Sequence, residues 1–156
     1  YWDDRYENDH AEGYDWFKTF SEISSVLTPH LTATSKILVL GCGTSTLSEE
    51  LWRSGYKHVT SVDFSPRCIE LMQQRHADKP EMLWDVGDVR SLEAYPDAFF
   101  DVVIDKGVMD AMLDGCSLWD PPEDVKANCF QEIEASARVL RQGGKFIMIS
   151  FRPGHL

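Results

Sequence analysis

The stretch Ile37-Leu38-Val39-Leu40-Gly41-Cys42-Gly43-Thr44-Ser45-Thr46-Leu47 constrains this chain more than any other. Four branched or bulky apolar residues without polar alternation describe a strand buried on both faces, the setting of a parallel sheet. The glycines that follow open a tight turn into a helix. A turn that leaves a central strand and passes close under a ligand has no room for a Cβ and often needs positive φ. Thr44, Ser45 or Thr46 stands ready to cap that helix, and Thr46 and Glu49 have the spacing of a capping box. The first helical turn then offers free N–H groups and a partial positive charge to whatever is bound.

A Gly-x-Gly turn after a strand serves nicotinamide, flavin and S-adenosylmethionine (SAM) sites alike. Three features separate them here. The third glycine of the dinucleotide pattern falls at Thr46, so a close helix-to-pyrophosphate approach is not provided for. The next strand, Val59-Thr60-Ser61-Val62-Asp63, ends in an acid 20 residues beyond Gly43, which suits ribose hydroxyls. Another apolar strand, Met82-Leu83-Trp84, leads to Gly87-Asp88-Val89, where a second acid suits an adenine amino group better than a phosphate. With no phosphate clamp in this set, SAM is the favoured ligand.

At 156 residues the chain is expected to form one domain (1–156). A domain of this size buries roughly 70% of its unfolded surface. No apolar run approaches a membrane span, so no membrane partner is expected. Cys42, Cys68, Cys116 and Cys129 are scattered, with no Cys-x-x-Cys pair, and read as reduced thiols without a metal site in a cytoplasmic or nuclear setting. A net charge of −11 repels nucleic-acid backbones and is compatible with a lysine-bearing protein surface.

Residues 1–30 are expected to form an N-terminal lid and helix, and residues 36–151 the core. The leader is acidic and aromatic together, with Trp2, Tyr6 and Trp16 as candidates to cover a ligand or to pack on the domain. Phe17, Phe20, Ile23 and Leu27 recur at helical spacing before Pro29. Leu47 and Leu51 mark a helix that ends by Gly55. Ser65-Pro66 caps another, with Cys68, Ile69 and Met72 inward. A fourth strand, 99–104, ends in Asp105-Lys106-Gly107. An irregular connection over 108–122 reads as functional. Phe130, Ile133, Ala137 and Leu140 form a helical stripe stopped by Gly143-Gly144, and 145–151 is a fifth strand. The five histidines, His10, His30, His58, His76 and His155, read as surface or loop residues. Alternating strands and helices predict a doubly wound α/β fold with a mostly parallel sheet, and its ligand at the carboxyl ends of the strands. Gly41, Asp63, Asp88 and Lys106 all fall at such ends.

Leu40-Gly41-Cys42-Gly43, Val62-Asp63, Gly87-Asp88-Val89 and Gly143-Gly144-Lys145 resemble the motifs of class I SAM-dependent methyltransferases. Tyr1-Trp2, Arg5-Tyr6, Tyr14-Asp15-Trp16-Phe17 and above all Asp105-Lys106-Gly107-Val108-Met109-Asp110-Ala111 resemble the branch that includes lysine methyltransferases of translation elongation factor 1-alpha. The resemblance spans essentially the whole chain. It implies a Rossmann-like fold, SAM as cofactor (S-adenosylhomocysteine as product) and a protein substrate with an accessible lysine, such as a translation factor. It places Gly41, with Cys42 and Gly43 in the same turn, at the methionine part of SAM. Asp63 falls to the ribose, Phe64 beside the adenine, and Asp88 with Val89 at the adenine ring. Trp2, Tyr6 and Trp16 close over the cofactor, and Lys106 lines the pocket near the methyl-transfer face. Val108 and Met109 stand where the branch usually has Thr and Leu. The family continues beyond 151–156 into an antiparallel pair of strands, so this chain is expected to lack the last two strands.

Methyl transfer is an in-line displacement that requires alignment and the exclusion of water. A lysine acceptor must first lose its proton, at roughly 4–5 kcal/mol for an amine of pKa near 10.4 at neutral pH. Asp105 and Asp110, read at the mouth of the site, are expected to orient the ammonium and pass its proton to water. Asp105 has a plainer reading as the cap of a helix starting near Gly107. A small-molecule methyltransferase and a non-catalytic SAM-binding module are the alternatives on the same fold.

Overall fold

In a parallel sheet the central strands are covered on both faces, so their residues are apolar at every position and neighbours divide between two cores. The computed structural model, which describes residues 17–117 and 119–151, follows this rule. Strand β1 (Lys36–Leu40) lies between β2 (His58–Asp63) and β4 (Phe100–Lys106), with β3 (Leu83–Val86) and β5 (Leu140–Ile149) at the edges. All pairs are parallel, in the order β3-β2-β1-β4-β5. Winding therefore reverses between β1 and β4, which opens a crevice at their carboxyl ends.

Ile37 and Val39 face one core with Val102 and Ile104, packed against helices α1 (Phe20–Leu27), α2 (Leu47–Arg53) and α3 (Pro66–Arg75). Leu38 and Leu40 face the other with Val103, packed against helix α5 (Glu123–Val139) and the 89–95 loop. A short helix, α4 (Val108–Met112), follows β4. Each fully buried Leu or Ile contributes at most about 1.5–3 kcal/mol. The helix starts carry local chemistry: Ser65 Oγ accepts from Cys68 N at 3.2 Å ahead of Pro66, as expected. Glu22 reaches back to accept from Thr19 N at 2.9 Å. Among the described residues no helix is long and apolar enough to cross a membrane.

Several expectations give way. Phe130 and Ile133 are 69% and 47% exposed, and α5 instead buries Glu132, Ala135, Ser136 and Val139. The helix is rotated because Arg138 is tied to the 91–97 loop: its guanidinium donates to the carbonyls of Ser91, Leu92 and Tyr95 and pairs with Asp97. Gly143-Gly144 do not stop this helix, which passes directly into β5 at Leu140. They lie in a bulge between the pairs Phe100↔Leu140 and Val102↔Lys145, where a Cβ on Gly144 would stand 2.9 Å from the Arg141 carbonyl. The third strand, expected at 82–84, runs over Leu83–Val86, starting one residue later and ending two later, and the 108–122 connection opens with α4. The Thr46–Glu49 box does not form. Ser45 Oγ accepts from Leu47 N instead, while Glu49 is drawn to Arg53 and Lys79.

His76, expected at the surface, is 5% exposed and stacks on Trp84 with ring centroids 5.2 Å apart. Burial holds its imidazole below the ordinary range, although Glu49 at 4.0 Å acts in the opposite direction. The folded chain thus keeps His76 neutral where the unfolded chain takes up a proton. Stability is complete above about pH 6.5 and falls as pH drops through the lowered folded value. The thermal midpoint of the native protein is expected to decline more steeply between pH 7 and 5 than that of His76→Phe, which retains the ring stack. Parallel pH profiles would contradict this assignment.

Candidate functional site

Asp63, the last residue of β2, is 3% exposed and joins three turns. Its Oδ2 accepts from Gly43 N at 2.9 Å and its Oδ1 from Ser65 N at 3.0 Å. Its carbonyl accepts from Gly87 N at 2.9 Å, while Val62 O beside it accepts from Cys42 N at 3.0 Å. The glycine turn, the start of α3 and the turn after β3 are thus tied to one residue. Above them lies a cleft of about 380 Å³ at the switch point.

The cleft brings together most of the expected cofactor residues: Gly41, Cys42, Gly43, Asp63, Phe64, Asp88, Val89 and Lys106 all line it. Phe64 is 58% exposed and presents its ring at the mouth, whereas Val89 is buried. Cys42 is buried in the floor, where a hydrogen bond with Cys68 and then burial push its thiol well above the ordinary value. That environment suits packing, not nucleophilic attack. Trp2, Tyr6 and Trp16 lie outside the described residues.

Two of the residues expected to be catalytic are elsewhere. Asp105 and Lys106 are consecutive on β4 and so point to opposite faces of the sheet. Lys106 turns toward the cleft, 9% exposed, and its Nζ donates to the Lys18 carbonyl at 3.4 Å. Asp105 turns under α4, fully buried, where it accepts from Val108 N at 2.7 Å and Met109 N at 3.3 Å. It is the helix cap and not an acid at the mouth. Burial raises its pKa, against those two backbone donors. Asp110 does not line the cleft, and its Oδ1 accepts from Ser150 Oγ at 2.8 Å.

Other residues of the cleft escaped sequence reasoning. Arg90 grips Asp88 through contacts at 2.6–3.0 Å, lowering the Asp88 pKa, and donates from its other arm to Asn128 Oδ1 at 2.9 Å. A basic residue two positions after a motif acid was a usable signal for Arg90. Nothing local marks Asn128, which sits within α5. Val108, Ala111 and Met112 form the wall supplied by α4. A Cβ on Gly41 would lie 2.3 Å from Val108 Cγ2, and Gly41 has φ +50°. The glycine therefore answers both a strained backbone and a direct contact with α4.

A parallel sheet ordered 3-2-1-4-5, with a glycine turn and two acid-bearing turns around a cleft at its switch point, is the Rossmann-like fold of class I methyltransferases. The family described as "Methyltransferase domain" matches residues 38–148, and the chain belongs to that family. It is 41% identical over 157 residues to EEF1A lysine methyltransferase 4 of Mus musculus, covering 99% of this chain and 61% of the mouse protein. The chain thus spans less than two thirds of that relative. Among solved structures it resembles the PH0226 protein from Pyrococcus horikoshii OT3, with TM-score 0.66, 26% identity and coverage of 83% of this chain and 55% of that one. It also shares its fold with the glycopeptide N-methyltransferase MtfA complexed with SAM, with TM-score 0.65 and 20% identity over 89% of this chain and 51% of that one.

The contact between Gly41 and Val108 yields a direct test. Gly41→Ala is expected to lower stability by about 2–4 kcal/mol in denaturant titration, from strain plus overpacking. The second change Val108→Ala should recover the overpacking share but leave the strain. Equal losses in the single and double variants would show that the two residues do not press on each other.

Proposed function

We propose that the chain transfers methyl groups from SAM to a lysine side chain of a protein substrate, with residues 1–156 acting as one domain and the 1–30 segment as its lid. The observation that carries this reading is the charge pattern of the cleft. Among the described residues its acids are Asp63 and Asp88, and of its two cations Arg90 is committed to Asp88 and Lys106 reaches the Lys18 carbonyl. Such a lining fits ribose hydroxyls and an adenine amino group, with no cradle for a pyrophosphate. Gly41 lines the cleft with no side chain, which allows the close approach of a ligand chain.

On this reading the Asp63 carboxylate, oriented by Gly43 N and Ser65 N, faces the ribose hydroxyls. Phe64 covers the adenine, and Asp88 and Val89 read its edge. Gly41, Cys42 and Gly43 border the methionine part, and Trp2, Tyr6 and Trp16, outside the described residues, are the candidates to cover the cofactor. When bound, SAM supplies a methyl group on a sulfonium. The chain's own work is to align the acceptor and exclude water. Lys106 holds the entry segment through the Lys18 carbonyl and borders the transfer face. Asp110, on the first turn of α4, remains the candidate to steer an incoming ammonium.

The name of the mouse relative supports lysine as acceptor and a translation factor as the protein that bears it. A net charge of −11 favours a basic protein surface and opposes nucleic acid. A cytoplasmic site of action follows from that class of substrate.

Incubating the protein with tritiated SAM and a cell lysate is expected to label a small set of proteins at lysine, identified by mass spectrometry. Label confined to small molecules would overturn the choice of acceptor. Asp63→Ala should weaken S-adenosylhomocysteine binding by at least about a hundredfold in calorimetry, through loss of two ribose hydrogen bonds and of the ties to the glycine turn. Unchanged affinity would remove Asp63 from the site. Lys106→Met is expected to lower turnover while leaving the fold intact by circular dichroism. Native turnover in that variant would dismiss Lys106 from the transfer face.

A further inference from the structure

A helix of five residues does not sustain itself in water, so α4 depends on its cap. That cap, the Asp105 carboxylate, is strongest as an anion, yet it is wholly buried. Glu132 of α5 is wholly buried too, beside the Asp105 carboxyl, and among the described residues no N–H or hydroxyl donates to its oxygens and the Ser136 hydroxyl one turn later is unpartnered. Among the described residues the further charged group acting on Asp105 is Asp110 from α4, and the pair in turn faces the Cys129 thiol. Burial, and then Glu132 and Asp105, push the Cys129 thiol up. No cation is among them. Two carboxylate anions facing one another in such an interior are not a stable arrangement, so one carboxyl keeps a proton. The two backbone donors favour the anion at Asp105, which leaves the proton on Glu132.

We propose that Glu132 is a positioning residue of the cleft: by holding a proton beside Asp105 it allows the Asp105 anion to cap α4, and so keeps Val108, Ala111 and Met112 against the glycine turn. Loss of that proton sets two anions against each other beneath α4, and the wall that presses on Gly41 gives way. The inference rests on the reading of the cleft as a SAM site, because it assigns Glu132 to the geometry of that site.

Burial, followed by the charge of Asp105 and its nearness as a hydrogen-bonding group, pushes Glu132 up to about 8. With a raised folded value the protonated form prevails below that pH, and the cap is lost as pH rises through it. If only the protonated form binds, apparent affinity follows the protonated fraction and is about tenfold weaker one unit above the titration point.

Calorimetry of S-adenosylhomocysteine binding at pH 7 and pH 9 is expected to show this fall in the native protein. Glu132→Gln, which keeps the shape and cannot ionise, should bind with the same affinity at both pH values. A purely packing role for Glu132 would leave the pH dependence of the variant like that of the native protein. The side-chain carboxyl carbon of Glu132, followed by NMR in the native protein, should titrate near pH 8. Titration in the ordinary glutamate range, or an alkaline fall that survives in Glu132→Gln, would overturn the proposal. If the native protein bound no S-adenosylhomocysteine at pH 7, the cofactor reading would fail. The carbon titration would then decide the Glu132 assignment alone.

Discussion

The cleft depends on the hydrogen bonds that converge on Asp63. Strand β2 ends there, and the carboxylate is held between Gly43 N and Ser65 N while the carbonyl takes Gly87 N. Each bond is of ordinary strength, about 0.5–1.5 kcal/mol net and more to a charged oxygen. Their value lies in geometry. Three turns from three strands, free to move independently as loops, are drawn to one point at the sheet edge. An acid at this place therefore orders the backbone of the site before any ligand arrives, its buried charge receiving the N–H dipoles of Gly43 and Ser65.

Strand alternation then divides the remaining chemistry. Because Asp105 and Lys106 are neighbours on β4, one must serve the face covered by α5 and the other the face covered by α1 and α2. Lys106 reaches the cleft and the Lys18 carbonyl, whereas Asp105 becomes the cap of α4. Adjacent residues of a single motif thus act on different sides of the sheet, one at the cleft wall and one below it. The cap and the wall remain coupled, since α4 begins immediately after both.

How far this was legible in the sequence follows from which signals are local. The run Ile37-Leu38-Val39-Leu40, the paired glycines and the acid 20 residues beyond Gly43 announced a strand, a turn and an acid at the end of the next strand, and the structure has all three in place, with Asp63 accepting from Gly43 N. Ser65-Pro66 announced its helix for the same reason: caps are written in neighbouring residues. The phase of α5 was not legible. Phe130 and Ile133 are the more apolar choices, but Arg138 reaching the 91–97 loop sets the rotation, and that partner lies about 40 residues away in the chain. His76 was misjudged likewise, because its partner Trp84 comes from a different element. The place of Asp105 was written in strand parity, yet the strand's end had to be known before parity could be counted.

The same parity explains why a methyltransferase-type cleft carries a buried carboxyl pair at all. A short helix after β4 needs an anion at its start, and Asp105, which reaches Val108 N and Met109 N from the strand end, also lies on the face covered by α5. An exposed cap would tolerate its charge freely. A buried one must either be neutralised, which weakens the cap, or have its charge left unopposed by nearby acids. Glu132 and Asp105 take the second course with a single proton between two carboxyls, held on Glu132, and Val108 transmits the result to Gly41. The wall of the cleft is therefore set from beneath by electrostatics in the α5 core as much as from above by the turns that Asp63 gathers.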